Sequence, residues 1–205
     1  MAEATRFNLY LDILRVLDQL RIPYVVIGAF AGMSYGVTRM TADVDIVVEL
    51  NELQMHALAD AFPLPRYYAD PEQMKNSTRL GIMFNIIDSS EGRKADLIPT
   101  TMKPGYAFAL ERRIRREIPL KGAQTFQAWF ARPDDIIIGK LMVWNEGRSA
   151  KHEQDIRAIL FAIKSNEDPE LVNIFDEAEV NRWAIELGID VLEFWRRMKT
   201  EAGFE

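Results

Sequence analysis

Cysteine is absent from this chain of 205 residues, which excludes disulfides and thiolate metal sites. Histidine is almost absent: His56 and His152 are too few to build a histidine-based zinc centre. No run approaches the ~18 apolar residues of a membrane-spanning helix. The N-terminal MAEATRFNLYLDILR shows no basic leader followed by a continuous apolar stretch, the mark of a secretory signal. These absences predict a cytoplasmic protein with no membrane partner. A surplus of basic residues is lacking too. The net charge of −6 argues against a broadly basic nucleic-acid surface and leaves room only for a local patch. What is present suits a globular chain, with 48% hydrophobic and 27% charged residues.

Periodicity divides the chain. Leu9, Ile13, Val16, Leu17 and Leu20 fall at helical spacing, so residues 8–21 predict an amphipathic helix that Pro23 stops. Tyr24–Ile27 predicts a buried strand, Gly28 to Tyr35 a short helix ended by Gly36, and Asp43–Val48 a second strand. Asn51 predicts a cap for a helix to Phe62, with Leu53, Leu58, Ala61 and Phe62 toward the core. Pro63, Pro65 and Pro71 predict a loop. Ile82–Ile87 and Lys94–Ile98 predict strands around the turn 88–92, and Ile114–Leu120 and Thr125–Ala131 a strand pair turning at Lys121-Gly122. Pro133-Asp134-Asp135 predicts a helix start, with helical periodicity from Ile136 through Ile163. Asp168-Pro169 predicts a break, and Val180–Met198 a last helix in an acidic segment. A strand-rich part over residues 1–131 and a helical part over 132–205 predict an α+β fold.

The chemistry concentrates in Thr41-Ala-Asp43-Val-Asp45-Ile-Val-Val48. On a strand, residues i and i+2 share a face, so both carboxylates project together. Such a pair is costly to hold unless a cation neutralises it, and hard oxygen donors suit Mg2+. Upstream, Gly28 leaves a strand and opens a helix, a place where backbone N–H groups meet phosphate. A third carboxylate stands at Asp96 in Arg93-Lys94-Ala-Asp-Leu-Ile98. Three acids can hold two Mg2+ ions and accept a proton from a hydroxyl. A phosphate turn followed by an acidic pair on the next strand predicts metal-assisted nucleotidyl transfer. The bland readings are a solvated strand face for Asp43 and Asp45 and a solvent-facing acid for Asp96.

Together, Gly28-Ala-Phe-Ala31, Thr38-Arg39-Met-Thr41, Asp43-Val-Asp45 and Asp96 resemble the nucleotidyltransferase superfamily that shares the DNA polymerase β-type core. Pro133-Asp-Asp-Ile-Ile-Ile-Gly-Lys140-Leu, followed by Arg148, Lys151 and Asp155-Ile156, looks like the C-terminal motif of the abortive-infection and toxin-type branch. The resemblance spans about residues 20–165. It implies a mixed β-sheet flanked by helices and followed by a C-terminal helical region. It implies a transferase that moves a nucleoside monophosphate from a nucleoside triphosphate to an acceptor hydroxyl. Asp43, Asp45 and Asp96 would be its catalytic and metal residues. Gly28, Ala29, Arg39, Lys140 and Asp155 would serve the triphosphate, with Asp155 orienting Lys140. The branch further implies RNA or protein as acceptor and a partner protein of the toxin–antitoxin kind. One departure stands out: many members carry Gly-Ser or Gly-Gly at the turn, and this chain has Gly28-Ala29.

Each residue has a structural alternative. Lys140 rises from apolar neighbours and could contribute mainly its methylene stem. Asp155 follows Lys151 by four residues, the spacing of a helical ion pair. Arg112, Arg113, Arg115 and Arg116 form the densest basic cluster, with Arg113 and Arg115 on one strand face. They either guard an edge strand or contact RNA. Trp129, Trp144, Trp183 and Trp195 read as core or interface. Two rivals to the enzyme follow: a non-catalytic member that binds a partner, and a helical interaction protein built on residues 166–205.

Overall fold

The computed structural model describes residues 8–119, 125–166 and 168–204. The predicted turn at Lys121-Gly122 lies outside them, as do Leu120 and the first seven residues. The element order begins α1 (Asn8–Gln19), β1 (Tyr24–Ile27), α2 (Gly28–Gly32), a 3-10 turn (Met33–Tyr35), β2 (Asp43–Val48) and α3 (Glu52–Ala61). It continues with β3 (Tyr67–Tyr68), α4 (Pro71–Leu80), β4 (Phe84–Asp88), β5 (Arg93–Pro99), α5 (Ala107–Glu111), β6 (Ile114–Pro119) and β7 (Thr125–Phe130). The helices α6 (Pro133–Gly147), α7 (Ala150–Ser165), α8 (Pro169–Ile174), α9 (Glu177–Leu187) and α10 (Ile189–Glu201) follow. Two compact units result: Met1–Ile27 with Thr41–Phe130, and Gly28–Met40 with Ala131–Glu205. The architecture is α+β, as the alternating and helical periodicities predict. No helix among the described residues is long and apolar enough to cross a membrane.

The first unit holds one mixed seven-stranded sheet in the order β3-β4-β5-β2-β1-β7-β6. The β1–β7 and β2–β5 pairs are parallel and the rest antiparallel. All four residues of β1 are buried, which explains its unbroken apolar run Tyr-Val-Val-Ile. α1 buries Leu9, Ile13 and Leu17 as its spacing predicts; Leu14 is buried besides, and Val16 and Leu20 are only half-buried. On α3 the Asn51 cap forms as expected, with Gln54 closing the capping box. The predicted core face is corrected, however. Met55 and Leu58 are buried, whereas Leu53 is 83% exposed and Ala61 is exposed too. The spacing 55, 58, 62 ends on the buried Phe62 and leaves Leu53 on the opposite side. Pro71, expected in a loop, opens α4 instead. Its missing N–H costs nothing in a first turn, and Asp70 accepts from Glu72 N at 2.9 Å.

The second unit is helical. Pro133, Asp134 and Asp135 start α6 as predicted. The expected continuous helix from 136 to 163 breaks where Arg148 takes a left-handed φ of 50° after Gly147. The expected last helix likewise divides at Gly188, with φ 112°. The core buries Ile137, Ile138, Leu141, Ile156, Ile159 and Val180. Trp144 stacks on Phe194 with ring centroids 3.7 Å apart, and the buried Trp195 donates to Asn181 Oδ1 at 2.7 Å.

Candidate functional site

In the first unit, the β2–β5 register decides which side chains meet. Asp43 lies opposite Lys94 and Asp45 opposite Asp96, and on the other side of β5 Asn85 lies opposite Asp96. Direct partners in a sheet share a face, so Asp43, Asp45, Lys94, Asp96 and Asn85 form one polar patch. The alternate residues Val44, Ile46 and Ala95 are fully buried and hold the other face down. Asp43 and Asp45 are half-buried, and Asp96 is buried.

Lys94 sits in this patch. Its Nζ donates to Asp96 Oδ1 at 3.0 Å and Oδ2 at 2.9 Å and lies 3.7 Å from Asp43 Oδ2. Asn85 Nδ2 also donates to Asp96 Oδ1. The hydrogen bond to Asp96, with the charges of Asp43 and Asp45, raises the Lys94 ammonium above its ordinary pKa against the opposing effect of burial. Carboxylate oxygens are the donors Mg2+ takes, so the patch fits a hard cation in kind. Asp43 and Asp45 are placed to supply such donors, while both oxygens of Asp96 are engaged by an ammonium. Among the described residues, no cluster of three or more acidic, histidine or cysteine side chains is arranged to hold a metal ion.

The second unit carries the remaining predicted residues. Gly28 takes φ 70°, a left-handed conformation that favours glycine, and Ala29 is buried behind it. Arg39 grips Asp155 with both prongs, Nε to Oδ1 and Nη2 to Oδ2 at 2.8 Å each. Lys140 Nζ reaches Asp155 Oδ2 at 2.6 Å. Burial works to raise the Asp155 carboxyl. Hydrogen bonds from Arg39 and Lys140 outweigh it and hold the group below the usual carboxylate range. Two cations therefore converge on one buried carboxylate. His152, one turn earlier on α7, is buried, and its Nδ1 has no hydrogen-bond partner. Burial, with the charges of Lys140, Lys151 and Arg39, lowers its pKa to about 4, so the imidazole is neutral.

The basic cluster shows its own logic. Arg113 and Arg115 share a face as predicted, and both stack on Trp129, at 4.8 and 4.5 Å from the ring centroid. Arg115 also donates to Gln127 O and pairs with Asp18, and Arg113 donates to Leu110 O. These contacts are internal ones that fasten the β6 edge.

Lys94, Asn85 and His152 are the participants that sequence reasoning passes over. Lys94 had a signal: it stands two residues before Asp96 on the same strand and so shares its face. Asn85 had none, because it depends on the antiparallel β4–β5 register.

No protein-family model matches the sequence, and no curated protein matches it. Solved structures resemble the chain distantly. An antigenic nucleotidyltransferase-like protein from Paracoccidioides brasiliensis shares 17% identity at a TM-score of 0.47, covering 92% of each chain. JHP933 from Helicobacter pylori shares 15% identity at 0.44, over 98% of this chain and 96% of that one. ANT(2")-Ia, solved in complex with adenylyl-2"-tobramycin, shares 14% identity at 0.48, over 94% and 98%.

Proposed function

We propose that the protein is a Mg2+-dependent nucleotidyltransferase. The reading rests on one observation: the in-register pairing of β2 with β5 puts Asp43, Asp45 and Asp96 on one sheet face. Asp43 and Asp45 would hold the metal, with Asp96 completing the acidic set. Bound there, the cation would supply charge neutralisation for a triphosphate and its leaving pyrophosphate. Asp96 takes the proton of an acceptor hydroxyl as that oxygen attacks the α-phosphorus and pyrophosphate departs. Backbone N–H groups at Gly28 and Ala29 would orient the triphosphate, with Arg39 and Lys140 contributing positive charge and Asp155 orienting Lys140. The resemblance of the motifs supports these assignments, and the 2.6 Å Lys140–Asp155 contact fits the orienting role given to Asp155. The acceptor is a hydroxyl of RNA, of a protein or of a small molecule. The internal engagement of Arg113 and Arg115 lends no weight to RNA.

A second reading is a catalytically inactive relative that binds a partner protein, as a toxin–antitoxin setting would have it. The Gly28-Ala29 turn and the occupation of Asp96 by Lys94 favour it. Incubating the protein with each labelled nucleoside triphosphate, Mg2+ and cell lysate separates the two. Label transferred to a macromolecule or small molecule supports the enzyme and names its acceptor. Absence of both transfer and metal-dependent nucleotide binding would leave the scaffold.

A further inference from the structure

We propose that His152 is a further binding residue for the donor triphosphate, its imidazole donating Nδ1–H to a phosphate oxygen. The inference rests on the triphosphate role given above to Arg39 and Lys140, and every residue it uses lies in the second unit.

An unanswered nitrogen carries it. His152 is 9% exposed, and its Nδ1 is buried with no hydrogen-bond partner among the described residues. Buried polar side-chain atoms are nearly always paired, so an orphaned one calls for a partner from outside the chain. His152 stands three residues before Asp155, which puts the two side chains on the same face of α7. Asp155 takes two bonds from Arg39 and a third contact from Lys140. The imidazole therefore borders the two cations assigned to the triphosphate, and the charges of both act on it.

The neighbours also define which kind of partner is missing. The charged groups acting on the ring are Lys140 from α6, Lys151 and Asp155 from α7, and Arg39 from the stretch before β2. Lysine and arginine only donate hydrogen bonds. Asp155 is the one acceptor in this set, and both of its oxygens already take bonds. A ligand that answers Nδ1 has to bring acceptor oxygens of its own, and a phosphate chain brings several. The start of α7 points the same way. Ser149 gives no side-chain cap to the first turn, where N–H groups and the helix dipole favour an anion. Burial, and then the charges of Lys140, Lys151 and Arg39, hold the ring neutral. A neutral imidazole donates from one nitrogen only, and an oxyanion beside Nδ1 selects the tautomer that carries its hydrogen there.

Nuclear magnetic resonance on the intact chain tests this. The chain has two histidines, and His56, exposed on α3, supplies the reference signal. The probe is inorganic tripolyphosphate, the part common to every nucleoside triphosphate. At neutral pH it should move the His152 ring nitrogens to the Nδ1–H tautomer. It should also raise the pH at which His152 titrates by at least about one unit, since a bound anion favours the charged form. The His56 signal should not follow. Calorimetry reads affinity: His152→Leu should bind tripolyphosphate at least about tenfold more weakly. His152→Asn keeps a donor near the position of Nδ1 and should stay within about threefold of wild type. Thermal melting checks that both variants are folded. A His152 titration unchanged by bound tripolyphosphate, or equal affinity in wild type and His152→Leu, would overturn the proposal; an ordered water on Nδ1 gives that result. Lys140→Met separates the two levels. Weakened binding there, with none lost in His152→Leu, removes His152 alone. Wild type that does not bind tripolyphosphate would sink the triphosphate reading, and His152 with it.

Discussion

Lys140 Nζ lies 2.6 Å from Asp155 Oδ2, and both side chains are buried. Helical spacing offered Asp155 the neighbouring Lys151. The carboxylate faces across to α6 and to Arg39 instead, so its partners come from two separate stretches of chain. One acid thereby satisfies two cations.

Removing that acid breaks a buried ion pair. Asp155→Asn keeps the shape of the side chain but takes away the carboxylate that both Lys140 and Arg39 bind. Breaking a buried pair by deleting one partner costs about 3–5 kcal/mol. Urea unfolding should show a loss of that size, with most of it retained in a truncated Arg39→Ala background. A change below about 1 kcal/mol would mean that water reaches Lys140 freely.

His152 predicts a pH dependence. Its folded pKa, about 4, lies below the ordinary 6.5, so the unfolded chain binds more protons between those values. The groups bearing on it are Lys140, Lys151 and Arg39, which lower the pKa, and Asp155, which raises it. Stability is therefore full above about pH 6.5 and is lost as pH falls toward 4, by an amount on the order of 3 kcal/mol. His152→Gln should flatten the unfolding free energy across that window. An unchanged slope would show that His152 titrates normally in the folded protein.

Gly36 offers a test of packing alone. It takes φ 92°, and a Cβ there would stand 2.8 Å from Ala162 Cβ and 3.1 Å from Ala158 O. Gly36→Ala combines left-handed strain with a clash against α7, so a loss of about 1–3 kcal/mol is expected. A neutral melting temperature would show that α7 shifts at little cost.

Asp43 and Asp45 test the proposed metal role. Both are half-buried, and Asp96 keeps its own cation in Lys94 when they are neutralised. The Asp43→Asn, Asp45→Asn double variant should therefore melt at or above the wild-type temperature while losing nucleotidyl transfer and metal binding. Equal Mg2+ affinity in the double variant and wild type would remove these residues from the metal role.

What the sequence disclosed tracks what is local. The run Asp43–Val48 reveals its strand, its two faces and its acidic pair, because all three follow from alternation. The α6 start is legible because Pro133, Asp134 and Asp135 each suit a first turn. Pro71 misleads, since a proline that ends one element also opens another, and only the Asp70 cap tells the two apart. Arg148 hides a break within strong helical periodicity, because a left-handed arginine leaves no mark in the apolar pattern. Asn85 and the double grip of Arg39 on Asp155 depend on partners far along the chain. Local rules do not reach them.

Lys140 separates binding from structure most sharply. Lys140→Met keeps the methylene stem that its apolar neighbours pack against and removes only the charge. Asp155 stays doubly bonded to Arg39, so this acid keeps a counter-charge and the fold should survive with a smaller loss than Asp155→Asn incurs. Nucleotide binding should respond differently. The substitution removes one positive charge, and on the proposed reading a triphosphate loses a charge-assisted contact of about 1.5–3 kcal/mol. That corresponds to roughly tenfold to a few hundredfold in affinity. Thermal melting and triphosphate titration on the same preparation read the two effects. Unchanged titration with a lowered melting temperature would make Lys140 a purely structural partner of Asp155 and would shift the balance toward the non-catalytic reading.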